Sequence, residues 1–331
     1  MSQATIDAGS VRGSVMRAKL ASFLQQQGAL VALVLVVVFA TLRYSDRFLN
    51  LTNLTNIPLQ QSMIGLLALG MTFVILTGGI DLSVGSLVAV GAVVSAELSG
   101  RGLFVALLGG VAACAVLGFI SGLVIAKARI QPFIVTLAMM MAARGLVLVY
   151  TGEKSVREAA APSFVSLAGG KIQLGALSLH YPVLIMIVAY VLGWLVLKYT
   201  RFGRHVYSLG DNEEAARLMG LNVGRVTMGV YALSGALAGL AGVILASRQE
   251  GAGSPTSAVG WELDAIAAVV VGGTLLTGGQ GGSTSTLVGV LLLGAILNAL
   301  TQENVNWYWQ PLMRGLILLA VVIIQRVLGR R

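Results

Sequence analysis

Ten stretches of this chain are apolar and nearly free of charge. Each is long enough, at 1.5 Å of rise per helical residue, to cross or nearly cross about 30 Å of hydrocarbon. They run roughly 27–43, 59–78, 82–98, 103–126, 131–151, 181–199, 226–247, 263–278, 284–301 and 308–328. Backbone N–H and C=O groups in hydrocarbon must be satisfied inside their own segment, so runs of this kind read as helices. The expected fold class is all-α, a polytopic membrane protein of about ten transmembrane helices. Only 11% of the 331 residues are charged and 56% are hydrophobic, whereas soluble domains carry about 25% charged residues. The 42 glycines suit membrane helices that pack closely through small residues. The third, eighth and ninth runs are short and rich in glycine, so their ends are the least defined.

The net charge of +9 does not point to nucleic acid, because no basic patch interleaved with aromatics exists. With ten spans both termini share a side. Of the 22 Lys and Arg, thirteen then fall on that side, seven on the other, and Arg144 and Arg314 lie within spans. The bias places both termini in the cytoplasm. Arg12, Arg17 and Lys19 precede the first run as in a signal peptide, but no small-residue cleavage site follows and nine more runs do. The first run is therefore read as an uncleaved span, with 26 N-terminal residues cytoplasmic and poorly ordered. No domain linker or low-complexity tract is visible, so 1–331 is expected to be one transmembrane domain.

Catalytic chemistry finds little footing. Cys114 is the only cysteine and His180 and His205 are isolated, which excludes an internal disulfide and argues against a metal site. The one Gly-Lys pair, Gly170-Lys171, continues with Ile172, so no phosphate-binding loop is present. No nucleophile–base grouping supports an intramembrane enzyme.

The segment between the sixth and seventh runs is more informative. Asp211 and Glu214 have capping-box spacing. Glu213 and Arg217 stand four apart with the acid first, and Gly220 suits a helix C-terminus. This predicts a two-turn helix over about Asn212–Met219 on the cytoplasmic side. Two turns are marginal alone, so the helix either docks on a cytosolic ATPase partner or is an ordinary structured loop.

Two glycine-rich breaks interrupt the apolar pattern, Gly78-Gly79-Ile80-Asp81-Leu82-Ser83 and Thr277-Gly278-Gly279-Gln280-Gly281-Gly282-Ser283. Asp81 or Ser83 can cap the following helix. A break inside the membrane must face protein or a wet cavity and would be a pathway element; at the surface, Asp81 is merely a cap. Leu76-Thr77-Gly78-Gly79 recurs as Leu276-Thr277-Gly278-Gly279, and Arg144-Gly145-Leu146 as Arg314-Gly315-Leu316. These matches belong to different repeat registers. Charges at the depth of Arg144 and Arg314 are costly, so each faces a solute path or gate, or is paired structurally. Glu262 and Asp264 are expected to open the eighth span from the outside, where they either pair with an arginine or help form the outer mouth. Trp261 beside them is an interface anchor or a sugar-stacking group, and Trp307, Tyr308 and Trp309 form an aromatic belt.

The 200–223 segment, with Leu276–Gly279, Gly79–Ser86 and Glu262-Leu263-Asp264-Ala265-Ile266-Ala267, closely resembles the ribose-type permease family of bacterial ABC sugar importers over about residues 25–328. The resemblance implies a type II importer permease fold and a second permease copy or related permease. It also implies a cytosolic ATPase subunit, where ATP and magnesium bind, and a periplasmic sugar-binding protein. Asp211, Asn212, Glu213, Glu214, Ala215, Ala216, Arg217 and Gly220 match the coupling helix. This chain, in the inner membrane, would bind no cofactor itself. The competing class is an ion-gradient-driven carrier of a small polar solute, whose signature would be carboxylates buried in mid-span. Only Asp81, Glu262 and Asp264 come near the membrane, at its expected edges.

Overall fold

The computed structural model describes residues 28–306 apart from 176, and a scatter of residues between 308 and 323. The N-terminal 27 residues, Arg314, Trp307 and much of the expected tenth span lie outside that set. Seven described helices are long and apolar enough to cross a membrane: α3 (Leu51–Leu76), α4 with a 3-10 extension (Val84–Arg101), α5 (Leu103–Ala128), α6 (Pro132–Thr151), α8 (Tyr181–Tyr199), α11 (Val223–Arg248) and α13 (Ser283–Gln302). The described part of α1 is Gly28–Tyr44. Shorter helices are α2 (Asp46–Leu49), α7 (Pro162–Gly169), α9 (Arg201–Asp211), α10 (Glu213–Leu218) and α12 (Trp261–Val271). Two small antiparallel ribbons complete the described fold, β1 (Val156–Arg157) with β4 (Ala252–Gly253) and β2 (Lys171–Leu174) with β3 (Leu177–His180).

Side-chain size decides which helices form the centre. The buried face of α5 carries Ala106, Gly110, Cys114, Gly118 and Gly122, a four-residue spacing that stacks small residues along one stripe. It meets Gly235, Gly239 and Val243 of α11, while Gly242 lies against Val88 and Ala92 of α4. A Cβ on Gly118 would overlap the Tyr231 carbonyl, and one on Gly239 would come within 2.8 Å of the Gly110 carbonyl oxygen. Backbones this close gain van der Waals contact that larger residues forbid. The opposite face of α5 leaves Phe104 and Leu108 exposed, as lipid contact or a partner helix requires. The central helix is α3, which is buried from Gln61 to Leu76 except at Ile64.

Three contacts set the levels of the helices. Asn53 and Asn298 exchange amide hydrogen bonds, Gln61 lies on Gly294, and the Thr72 and Thr286 hydroxyls pair at 2.8 Å, so α3 and α13 run antiparallel. Helix α12 runs antiparallel to α13, with Gly289 against Ala268 and Gly272 against Ser285. The first turn of α12 is therefore level with Gln61, about 15 Å along α3 from its start.

This corrects two expectations. The eighth run is not a spanning helix, because the 11 residues of α12 rise only about 16 Å. Trp261, Glu262 and Asp264 are not at an outer mouth either. The chain after α11 passes Ser99 at Gly251, Ala92 and Val93 at Gly253, and reaches Gly85 at Ala258 and Glu262. It descends beside α4 to that helix's first turn before α12 begins. Non-helical backbone at such depth needs internal partners. Arg144 of α6 provides two, donating from Nη1 to the carbonyls of Pro255 and Ser257 at 2.5 and 2.8 Å. The structure thus gives Arg144 backbone-pairing work, on a segment that sequence alone reads as an outer loop.

Candidate functional site

Helix α10 protrudes at the end of the molecule where α3 finishes. Its N-cap is Asn212, whose Oδ1 accepts from Ala215 N at 2.9 Å. The expected Asp211–Glu214 capping box does not form, because Asp211 closes the preceding helix α9. The rest of the expected design is present. Arg217 donates to Glu213 at 2.6 Å, and Gly220 at φ 85° ends the helix with Leu221 N bonded to the Ala216 carbonyl. Only Ala216 is buried; Glu213, Glu214 and Arg217 are exposed and Ala215 half-exposed. At its end Leu218 and Met219 are 84% and 77% exposed, two large apolar side chains projecting side by side.

One residue, Asn212, separates α10 from α9, and α9 is wedged against both glycine-rich breaks. Gly279 N donates to the Leu76 carbonyl at 3.0 Å, so the two Leu-Thr-Gly-Gly strings are bonded to each other. A Cβ on Gly278 would sit 2.8 Å from Gly78 N and 3.0 Å from the Gly210 carbonyl oxygen. A Cβ on Gly210 of α9 would overlap the Leu76 carbonyl oxygen and come within 2.6 Å of Gly279 N. The Tyr207 hydroxyl, also on α9, donates to the Gly281 carbonyl at 2.8 Å. Burial holds that phenol above its ordinary pKa, so it keeps its proton at any physiological pH. The positive φ of Gly78, Gly278 and Gly279 explains why glycine stands here. A cavity of about 650 Å³ separates α10 from the first break, lined among others by Thr77, Gly79, Arg129, Glu213, Arg217 and Tyr231.

Asp81 is fully buried. Its Oδ1 accepts from the Ser83 N–H at 3.0 Å and the Ser83 hydroxyl at 2.5 Å, and its Oδ2 accepts from the Ser234 hydroxyl of α11 at 2.8 Å. It is neither a surface cap nor a cavity group: it closes the turn before α4 and ties that turn to α11. Ser83 occupies the cap position of α4 without a side-chain capping bond. Asp81→Ala would leave both hydroxyls unpaired, and is expected to lower stability by about 2–3 kcal/mol. Asp81→Asn, which keeps one acceptor, should fall between. Thermal melting of the purified protein in detergent checks the ranking.

The deep end of the descending segment gathers the other predicted residues. Glu262 abuts Gly85 of α4, where a Cβ would strike its carboxylate. Arg144 lies near enough for the charges of Arg144 and Glu262 to attract. Trp261 and Asp264 line a separate cavity between α3, α12 and α13. The structure therefore brings Arg144, Trp261, Glu262 and Asp264 into one region and Gly78, Gly79, Asp81 and Ser83 into another. Sequence reasoning missed Tyr207, Gly210 and Ser234, and in the deep region Gln61. Of these only Gln61 carried a signal, a side-chain amide inside a long apolar run.

Residues 53–323 match the family described as branched-chain amino acid transport system permease component. The ribose import permease protein of Escherichia coli strain K12 is 42% identical over 309 residues, covering 92% of this chain and 94% of that protein. The L-arabinose ABC transporter permease protein of Azospirillum brasilense is 39% identical over 296 residues, covering 88% and 86%. The fructose import permease protein of Bifidobacterium longum is 36% identical over 307 residues, covering 90% and 89%. No solved structure matches this chain.

Proposed function

We infer the function from one premise: this chain belongs to the family of branched-chain amino acid transport system permease components. It is a transport subunit, the membrane-spanning permease of an ATP-binding cassette importer, and its solute is a monosaccharide such as ribose or a related pentose or hexose. What carries this reading is likeness along nearly the whole chain to relatives named as ribose, L-arabinose and fructose permeases. The setting is the inner membrane with both termini cytoplasmic. The partners are a second permease copy or related permease, a cytosolic ATPase that holds ATP and magnesium, and a periplasmic sugar-binding protein.

The geometry supports a route for coupling. Leu218 and Met219 offer apolar side chains to a cleft on the ATPase, and Ala216 anchors the inner side of α10. Movement of α10 pulls α9 through the single residue Asn212. Helix α9 bears on both breaks through Gly210 and Tyr207, so one displacement reaches the starts of α4 and α13 together. The cavity behind α10 leaves room for that displacement. A ligand-driven change needs two states that its partner binds differently, and a junction shared by two breaks provides one element to bias.

Glu213→Arg, which sets like charges four residues apart, and Gly220→Pro, which forbids the positive φ, are expected to abolish uptake with membrane insertion intact. Normal uptake in both variants would overturn the coupling role of α10. The gradient-driven alternative gains one observation, since Asp81 and Glu262 lie deeper than the sequence suggested. Asp81 has partners that explain its depth, three hydrogen bonds from Ser83 and Ser234.

A further inference from the structure

Midway along α3, a cavity of about 230 Å³ opens between α3, α12 and α13. Gln60, Gln61, Trp261, Asp264, Thr301 and Gln310 supply its polar and aromatic lining. Gln61 is only 9% exposed, yet its side-chain amide bonds to nothing among the described residues. A buried amide with two donors and an acceptor and no partner is destabilising unless something else occupies it. Its position is also built. The side chain lies flat on Gly294, where a Cβ would come within 2.5 Å of Gln61 Cγ and 3.4 Å of Nε2. Gly294 thus gives the amide its room. The first turn of α12 opens onto the same level, so the end of a half-length helix meets the cavity deep in the membrane.

We propose that this cavity is a solute-binding site within the permease, shaped for an uncharged monosaccharide. The proposal rests on the sugar-import reading above and adds a place and a set of residues to it. The volume lies below the roughly 300–1,000 Å³ of pockets for drug-sized ligands, which suits a single sugar ring. Amides of Gln60, Gln61 and Gln310 pair with hydroxyls as donors or acceptors. The Trp261 indole offers a flat apolar face to ring C–H groups. Among the described residues no Lys or Arg lines the cavity. The polar groups of the described lining include neutral amides and a hydroxyl, which suit the hydroxyl groups of a sugar better than the carboxylate of the amino acids in the family's description. Loss of a paired hydroxyl at a site of buried polar groups is penalised strongly, so binding discriminates between sugars as well.

Fluorescence tests this directly. The chain has four tryptophans, and Trp194→Phe, Trp307→Phe and Trp309→Phe together leave Trp261 as the sole reporter. The full-length permease in lipid nanodiscs is titrated with D-ribose, L-arabinose, D-fructose and L-leucine. At least one sugar should produce a saturable change in Trp261 emission, and leucine none. Gln61→Leu, which keeps the volume and removes the amide, should weaken that binding at least about tenfold, and Gly294→Ala should weaken it by displacing Gln61. Melting temperatures of the variants establish that they are folded. ATP-driven uptake by the complete transporter, assembled with the three-Phe permease, is measured in parallel. Sugar uptake with flat Trp261 emission, or unchanged binding in Gln61→Leu, overturns the site and leaves the sugar-import reading standing. Uptake of leucine but of no sugar overturns the sugar reading itself.

Discussion

Gly210→Ala is expected to abolish ATP-driven uptake while leaving the permease in the membrane and bound to its ATPase. The added Cβ would overlap the Leu76 carbonyl oxygen and press on Gly279 N at 2.6 Å. Both neighbours are backbone atoms, joined to each other by the Gly279–Leu76 hydrogen bond, so neither can rotate away as a flexible side chain would. Helix α9 must lift off the junction, and movement of α10 then no longer reaches the breaks. The outer surface of α10 is unchanged, so ATPase copurification should persist while uptake falls by at least about tenfold, the scale of a lost hot-spot contact. Gly224→Ala is the matched control, since a Cβ there meets nothing closer than 3.5 Å, and it should transport normally. Near-normal uptake by Gly210→Ala would show that α9 does not transmit the stroke.

Leu218→Asp combined with Met219→Asp is expected to have the converse effect. At 84% and 77% exposure, these side chains stabilise the isolated permease little, and surface substitutions of this kind usually change stability by no more than about 0.5 kcal/mol. In a partner's cleft they become buried anchors, and two carboxylates there are costly. The ATPase should fail to copurify and uptake should be lost, at an unchanged melting temperature. Retention of the ATPase by the double variant would show that it docks elsewhere.

The two variants together separate the halves of the stroke: one keeps the partner and loses the movement, the other keeps the junction and loses the partner. Tyr207→Phe belongs to the first group with a smaller effect, because it removes one bond to Gly281 and leaves the Gly210 wedge in place.

The long spans were legible because hydrocarbon imposes length and apolarity together, and few soluble patterns mimic that. The position of α10 was legible to within a residue at each end, since Glu213, Arg217 and Gly220 each act locally. The cap was misassigned because Asp211 and Asn212 are both good caps. The choice between them was made by α9, which continues to Asp211 under the pull of Gly203, Val206 and Leu209, its buried face. Helix α9 itself was hidden by its polar composition and two glycines, which read locally as loop. Those glycines are needed for close approach to α8 and to the breaks, a tertiary requirement with no local signature. The descending segment 249–260 was hidden for a related reason. Its polar residues read as an outer loop, and Arg144, far away in sequence, satisfies two of its carbonyls at depth. The meeting of the two Leu-Thr-Gly-Gly strings was visible as a repeat but not as a contact.

The measurement that bears most directly on the whole account is solute uptake into proteoliposomes. One set holds this permease with its ATPase, sugar-loaded binding protein outside and ATP inside. A second set holds the permease alone under an imposed proton or sodium gradient. ATP-dependent accumulation of a pentose or hexose in the first set, with none in the second, is the predicted result. Gradient-driven accumulation by the permease alone, with no response to ATP and ATPase, would contradict the account and make Asp81 and Glu262 the first residues to re-examine.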